Sequence, residues 1–274
     1  MEKKQEYTHL YASATTNEEA IARLIDLVSV LRKECPWDKE QTHESLRKCL
    51  LEEAYETIEA INNGDFDNLE EEVGDVLLQV VFHSQLGDEA EKFDFVSVAN
   101  RECEKMIRRH PHIFCTENVK SIDKALEKWE NVKRLEKGTS DYTSDLMGIP
   151  KALPALMRSY KVQSKAAKVG FDWDNVEDAL HKIKEEAEEL EAACAKNDVS
   201  NIKEELGDLL FSVVNVARFL NVDPEEALNS TSDKFIRRFS YIENKAKEQG
   251  LDLESMSLED MDKLWEEAKA SERV

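Results

Sequence analysis

Apolar residues along this chain recur at intervals of three and four, the spacing that lines one face of a helix. Ile21, Leu24, Ile25, Val28 and Leu31 form the first such series. Leu50, Ala54, Ile58 and Ile61 form a second, closed by the turn-forming residues 62–65, and Val73, Val76, Leu77, Val80 and Val81 form a third. The spacing predicts two antiparallel helices joined by a short turn, with apolar stripes, such as Val76 with Val80 and Val213 with Val214, that exceed what one hairpin can cover. Eight glycines and five prolines in 274 residues leave few places to break helices, so the expected fold is all-α. Periodicity fades around residues 137–154, where Gly, Ser, Thr and Pro collect. The domains expected are therefore 1–140 and 151–274, with a linker over 141–150.

The chain also repeats itself. Glu52, Glu53, Glu56, Glu72 and Asp75 return, shifted by 133 residues, as Glu185, Glu186, Glu189, Glu205 and Asp208. "KMIRR" at 105–109 returns as "KFIRR" at 234–238, and "WENVK" at 129–133 as "WEEAK" at 265–269. Duplication alone copies folding residues as well as chemical ones. Here, however, charged positions match while neighbours such as Tyr55 and Glu188 drift apart.

Composition narrows the function. A formal charge of -22 and a pI near 4.8 argue against a grip on a nucleic-acid polymer. Five cysteines with no CxxC spacing suit free thiols in a reducing compartment, and no apolar run is long enough for a membrane span. A soluble, cytoplasmic protein is expected.

Positions three apart share a helix face, so Glu53 with Glu56 and Glu72 with Asp75 each present a carboxylate pair, and antiparallel packing brings the pairs together. Converging carboxylates call for a cation. A donor set of oxygens alone selects a hard ion, Mg²⁺ first where phosphates complete its shell and Mn²⁺ as a substitute. Gly74 and Gly207, inside these helices, fit either a ligand's approach or close helix packing. Lys105 and Arg109, four apart, are placed to meet phosphate oxygens, as are Lys234 and Arg238; Arg108 and Arg237 read as surface charges pointing elsewhere. Trp129 and Trp265 either stack on a nucleobase or close the core.

With "CPWDKEQTHESLRKCLLEEAYETIEAI", the doubled "EExxE…ExxD" and the closing "WExxK", the chain resembles the MazG nucleoside triphosphate pyrophosphohydrolases of the all-α NTP pyrophosphatase superfamily from about Ile21 to Lys269. The resemblance implies Mg²⁺-dependent hydrolysis of nucleoside triphosphates to monophosphate and pyrophosphate, with broad base tolerance, as nucleotide-pool house-cleaning. It implies two tandem domains with four-helix-bundle cores completed in a homodimer. Carried over, the metal ligands are Glu186, Glu189, Glu205 and Asp208, with Glu53, Glu56, Glu72 and Asp75 as first-half counterparts. Lys234, Arg238 and Trp265 match nucleotide-contacting positions, Lys182 adds a phosphate contact, and Lys105, Arg109 and Trp129 are the first-half equivalents. Glu52 or Glu185 is either the group that positions or deprotonates the attacking water or an outward surface charge. The fuller match favours the second half as the main catalytic centre. A phosphoribosyl-ATP pyrophosphatase, normally a short single unit, and a non-catalytic nucleotide or metal sensor fit the motif less well, because the repeat is tandem and both halves keep four carboxylates.

Overall fold

The protein is described by a computed structural model covering residues 4–115 and 141–272, together with 121, 124, 128, 129, 132 and 136. No strand occurs among the described residues, and the all-α fold holds. The chain divides into two compact units, Met1–Glu136 and Lys137–Val274.

The first unit is built from α1 (Asn17–Glu34), α2 (Arg47–Asn63), α3 (Phe66–Glu89) and α4 (Phe95–Arg109), followed by one turn at Pro111–Phe114. Side-chain caps start three of these helices: Thr16 accepts from the Glu19 amide, Asp65 from that of Asn68, and Asp94 forms a capping box with Ser97. The α2–α3 turn depends on Gly64, whose φ of 65° ends α2 in the left-handed region. Val28 of α1, Val81, Phe82 and Leu86 of α3, and Leu46 form the buried core, with Ile21, Leu24, Ile25, Cys49, Leu78 and Phe95 against it.

Arg32 at the end of α1 ties the following loop to α3. Its Nη1 donates to the carbonyls of Asp38, Lys39 and Gln41, while Nε and Nη2 donate to the Glu89 carboxylate at 3.1 and 2.6 Å. That pairing holds Glu89 below the usual carboxylate range.

The second unit holds α5 (Tyr142–Met147), α6 (Ala155–Ala167), α7 (Val176–Lys196), α8 (Val199–Phe219), α9 (Pro224–Glu248) and α10 (Leu258–Ser271). Its α7–α8 hairpin repeats α2–α3, with Asn197 at φ 52° where the first unit has Gly64. Asn tolerates the left-handed region because its short polar side chain bonds locally. The stretch expected as linker, 141–150, carries structure of its own. Asp141 caps α5, Lys165 Nζ donates to the Asp145 carbonyl at 2.7 Å, and Ile149 is buried. A six-residue helix is too short to leave a periodic signature.

The apolar stripes exceed what each hairpin covers, as the sequence leads one to expect. Of the stripes on α2 and α3, Val81 is buried, but Leu50, Ile58, Ile61, Val73, Leu77 and Val80 are exposed, Ile61 at 57% and Val73 at 51%. The second hairpin repeats this with Leu206, Leu210, Phe211 and Val213. Periodicity identifies an apolar face without naming what covers it, and much of this face is exposed among the described residues.

Arg32 offers a direct test of the loop. Arg32→Met should lower unfolding free energy by about 2–3 kcal/mol, because Glu89 and the loop carbonyls lose their donors. Denaturant unfolding measures it, and an unchanged midpoint would mean water replaces the guanidinium without loss.

Candidate functional site

The hairpin turns set the register between paired helices, and that register decides which carboxylates meet. In the first unit Glu53 and Glu56 of α2 meet Glu72 of α3, one oxygen from each lying within 4.8 Å of the others. In the second, Glu186 of α7 meets Glu205 and Asp208 of α8 within the same limit. Asp75 and Glu189 stand beside these triads rather than in them. Asp75 raises Glu53 through its charge, and Glu189 does the same to Glu205. The triads are therefore not copies: the first draws two carboxylates from its leading helix, the second from its trailing helix.

Crowding shows in the acidities. Desolvation, then the charges of Asp75 and Glu56, hold Glu53 above the usual carboxylate range. Glu72 is raised by desolvation, then by Glu56 and Asp75; Glu205 by desolvation, then by Glu189 and Glu186. Close, partly desolvated carboxylates favour a proton or a cation over mutual repulsion. An all-oxygen set of this density fits a hard divalent ion.

Lys182 distinguishes the two clusters. Its Nζ lies 2.6 Å from Oε1 of the buried Glu186 and 2.8 Å from Oε1 of Glu185, whose carboxylates raise its pKa, Glu185 the more. Cys49 holds the equivalent place in the first unit, 133 residues earlier. Glu52 and Glu185 both lie on exposed surface outside the triads, each paired with a lysine, Glu52 with Lys48 at 3.1 Å. A methyl group added at Gly74 or Gly207 would meet no heavy atom within 4 Å, so close packing against the described residues of its own unit does not account for either glycine.

A second group forms around the arginines. In the first unit Arg109 lies over the Trp129 ring, 5.5 Å from its centroid, and donates from Nε and Nη2 to Oε2 of Glu136 at 2.9 and 2.6 Å. In the second, Arg238 lies 5.4 Å over Trp265 and donates from the same two nitrogens to Oε2 of Glu272, at 2.9 and 2.7 Å. Phe235 meets Trp265 at 5.1 Å between centroids. The expectation that Arg108 and Arg237 point elsewhere is corrected: Arg108 Nε donates to the other oxygen of Glu136, and Arg237 Nε is 3.9 Å from that of Glu272. The arginines hold both carboxylates below their usual range, Arg109 then Arg108 for Glu136 and Arg238 for Glu272. Lys105 pairs with Glu102, while Lys234 is half-buried and adds its charge to the field at Glu272.

Glu136 and Glu272 were missed from sequence. The available signal was spacing: "WENVKRLE" and "WEEAKASE" each put a glutamate seven residues after the tryptophan, two helical turns along the same face.

A family profile described as "MazG nucleotide pyrophosphohydrolase domain" matches residues 41–114 and 174–242. The chain is 52% identical over 240 residues to the uncharacterized protein YabN of Bacillus subtilis, covering 87% of itself and spanning about half, 49%, of that longer relative. It is 44% identical to the "Nucleoside triphosphate pyrophosphohydrolase/pyrophosphatase MazG" of Thermotoga maritima over 91% of this chain and 96% of the relative. It is 40% identical to the "Nucleoside triphosphate pyrophosphohydrolase" of Escherichia coli over 92% and 98% respectively.

Repulsion within the first cluster sets a stability prediction. Carboxylates raised in the folded state contribute stability below their unfolded values and lose it as pH rises through the raised ones. In chelator at pH 7, Glu72→Gln should therefore melt above the parent, and the gap should close on acidification into the ordinary carboxylate range. Equal melting temperatures at pH 7 by differential scanning calorimetry would show that the cluster carries no such strain.

Proposed function

We infer that this chain, which belongs to the MazG nucleotide pyrophosphohydrolase family, is a nucleoside triphosphate pyrophosphohydrolase that depends on Mg²⁺, or Mn²⁺ in its place, and tolerates a range of bases. The observation that carries the metal dependence is the doubled carboxylate triad, partly desolvated and held on a helical hairpin in each unit. Glu186, Glu205 and Asp208, with Glu189 beside them, would hold the ion in the second unit; Glu53, Glu56 and Glu72, with Asp75, would do so in the first. A hard divalent ion bound there supplies charge neutralisation to phosphate oxygens and polarisation of an attacking water.

The remaining work falls to the chain's own groups. Arg109 and Arg238 spend Nε and part of Nη2 on glutamate, and Nη1, which makes no bond to a described residue, can donate to a phosphate oxygen. Lys105 and Lys234 add positive charge where pyrophosphate leaves. Lys182 stands at the buried carboxylate and can move its ammonium from Glu186 to an arriving phosphate. For Glu52 or Glu185 to take a proton from water, Lys48 or Lys182 must release it. Water attack on the anhydride then yields nucleoside monophosphate and pyrophosphate.

The acting form is a homodimer. No helix among the described residues is long and apolar enough to cross a membrane, and the bare apolar faces of both hairpins resemble half of a helix bundle awaiting the other half.

Pyrophosphate release from a mixed nucleotide panel should need Mg²⁺ or Mn²⁺ and stop in excess EDTA; full turnover in chelator would overturn the metal assignment. Replacing Glu186 and Glu205 together by Gln should remove most of the activity, whereas Glu53→Gln with Glu56→Gln should leave a substantial part. The reverse order would make the first unit the main centre. Light scattering should return about twice the chain mass of 31.5 kDa; a fully active species of one chain mass would refute the dimer.

A further inference from the structure

The two units differ at many positions, yet both build the same Arg–Trp–Glu arrangement from the same atoms. In each, Nε and Nη2 of the arginine share one glutamate oxygen while the guanidinium lies over the tryptophan, and the arginines are similarly enclosed, with side chains 13% and 15% exposed. The chain between them is not the same. Arg109 and Glu136 are 27 residues apart, Arg238 and Glu272 are 34 apart. The contact has thus been kept across connections of unequal length.

A copied connection does not explain it. We propose that Glu136 and Glu272 are positioning residues for the hydrolase reaction, each fixing its arginine against the tryptophan so that the free Nη1 edge is presented to the triphosphate. This rests on the assignment of Arg109 and Arg238 to phosphate made above.

The physical advantage is pre-organisation. A free arginine side chain surrenders much rotamer freedom when it grips a phosphate; one already held by a carboxylate on one edge and an aromatic ring on its face surrenders less. Five N–H donors make this division possible, because the edge bound to glutamate is not the edge offered to the ligand. Arg108 and Arg237 reinforce the arrangement by approaching the other glutamate oxygen, which keeps the carboxylate from rotating away.

Because both units carry the arrangement, the test changes both at once. The double variant Glu136→Ala with Glu272→Ala is compared with Arg109→Ala with Arg238→Ala and with all four changes together. The readouts are kcat and KM for hydrolysis and calorimetric affinity for a non-hydrolysable triphosphate analogue. The glutamate pair should weaken kcat/KM and analogue affinity about tenfold, and should add nothing once the arginines are gone. Gln at both positions, which keeps an acceptor and the side-chain shape, should recover part of the loss, and carries the same comparison if the alanine variant does not fold. A purely structural role would lower the melting temperature alike in both backgrounds and leave analogue affinity untouched, and that outcome overturns the proposal. So does a loss of affinity that is as large without the arginines as with them. If the arginine pair itself is neutral, the phosphate assignment fails, and this inference fails with it.

Discussion

Carboxylates crowded between two helices are the constraint on which the rest of this protein turns. Each hairpin brings three acidic side chains within 4.8 Å of one another, with a fourth close by, in a place where water is partly excluded. Folding alone would select against this. The raised pKa values of Glu53, Glu72 and Glu205 record the conflict. Local rules broken in this way concentrate at functional sites. Elsewhere the protein observes those rules closely, with helices capped by Thr16, Asp65, Asp94, Asn175, Asp198 and Ser257.

The two units answer the repulsion differently. In the second, Lys182 brings a built-in ammonium to the buried Glu186; in the first, Cys49 stands at the matching position, and no ion pair to Glu53, Glu56 or Glu72 occurs among the described residues. That internal cation offsets part of the repulsion among the carboxylates of the second unit. The two carboxylate clusters are therefore unlike in their electrostatic surroundings. The arginine groups, by contrast, were kept alike down to the donating nitrogens.

Much of this was legible in the sequence, for identifiable reasons. Helical periodicity follows from the 3.6-residue repeat, so the hairpins and the turn at Gly64 could be located. The shift of 133 residues exposed the acidic positions because internal comparison separates them from the many other acids of a chain with a charge of -22. Periodicity marked stripes wider than one hairpin covers, but it could not tell which members of a stripe are buried: Val81 is, while Ile61 and Val73 are exposed. It also could not show which carboxylate oxygens come within 4.8 Å of one another, since that depends on the rotation of each helix about its axis. Glu136 and Glu272 were hidden by composition: one more glutamate in so acidic a chain draws no notice until the fold sets an arginine beside it.

The central claim, that each hairpin is built around a divalent cation, is tested most directly by counting ions on the protein without substrate. Titrating Mn²⁺ into chelator-treated protein and following the free ion by electron paramagnetic resonance should reveal two saturable classes of site per chain. One class should vanish on replacing Glu53 and Glu56 by Gln, the other on replacing Glu186 and Glu205. Absence of saturable binding, or binding indifferent to both pairs of substitutions in folded protein, would contradict the account.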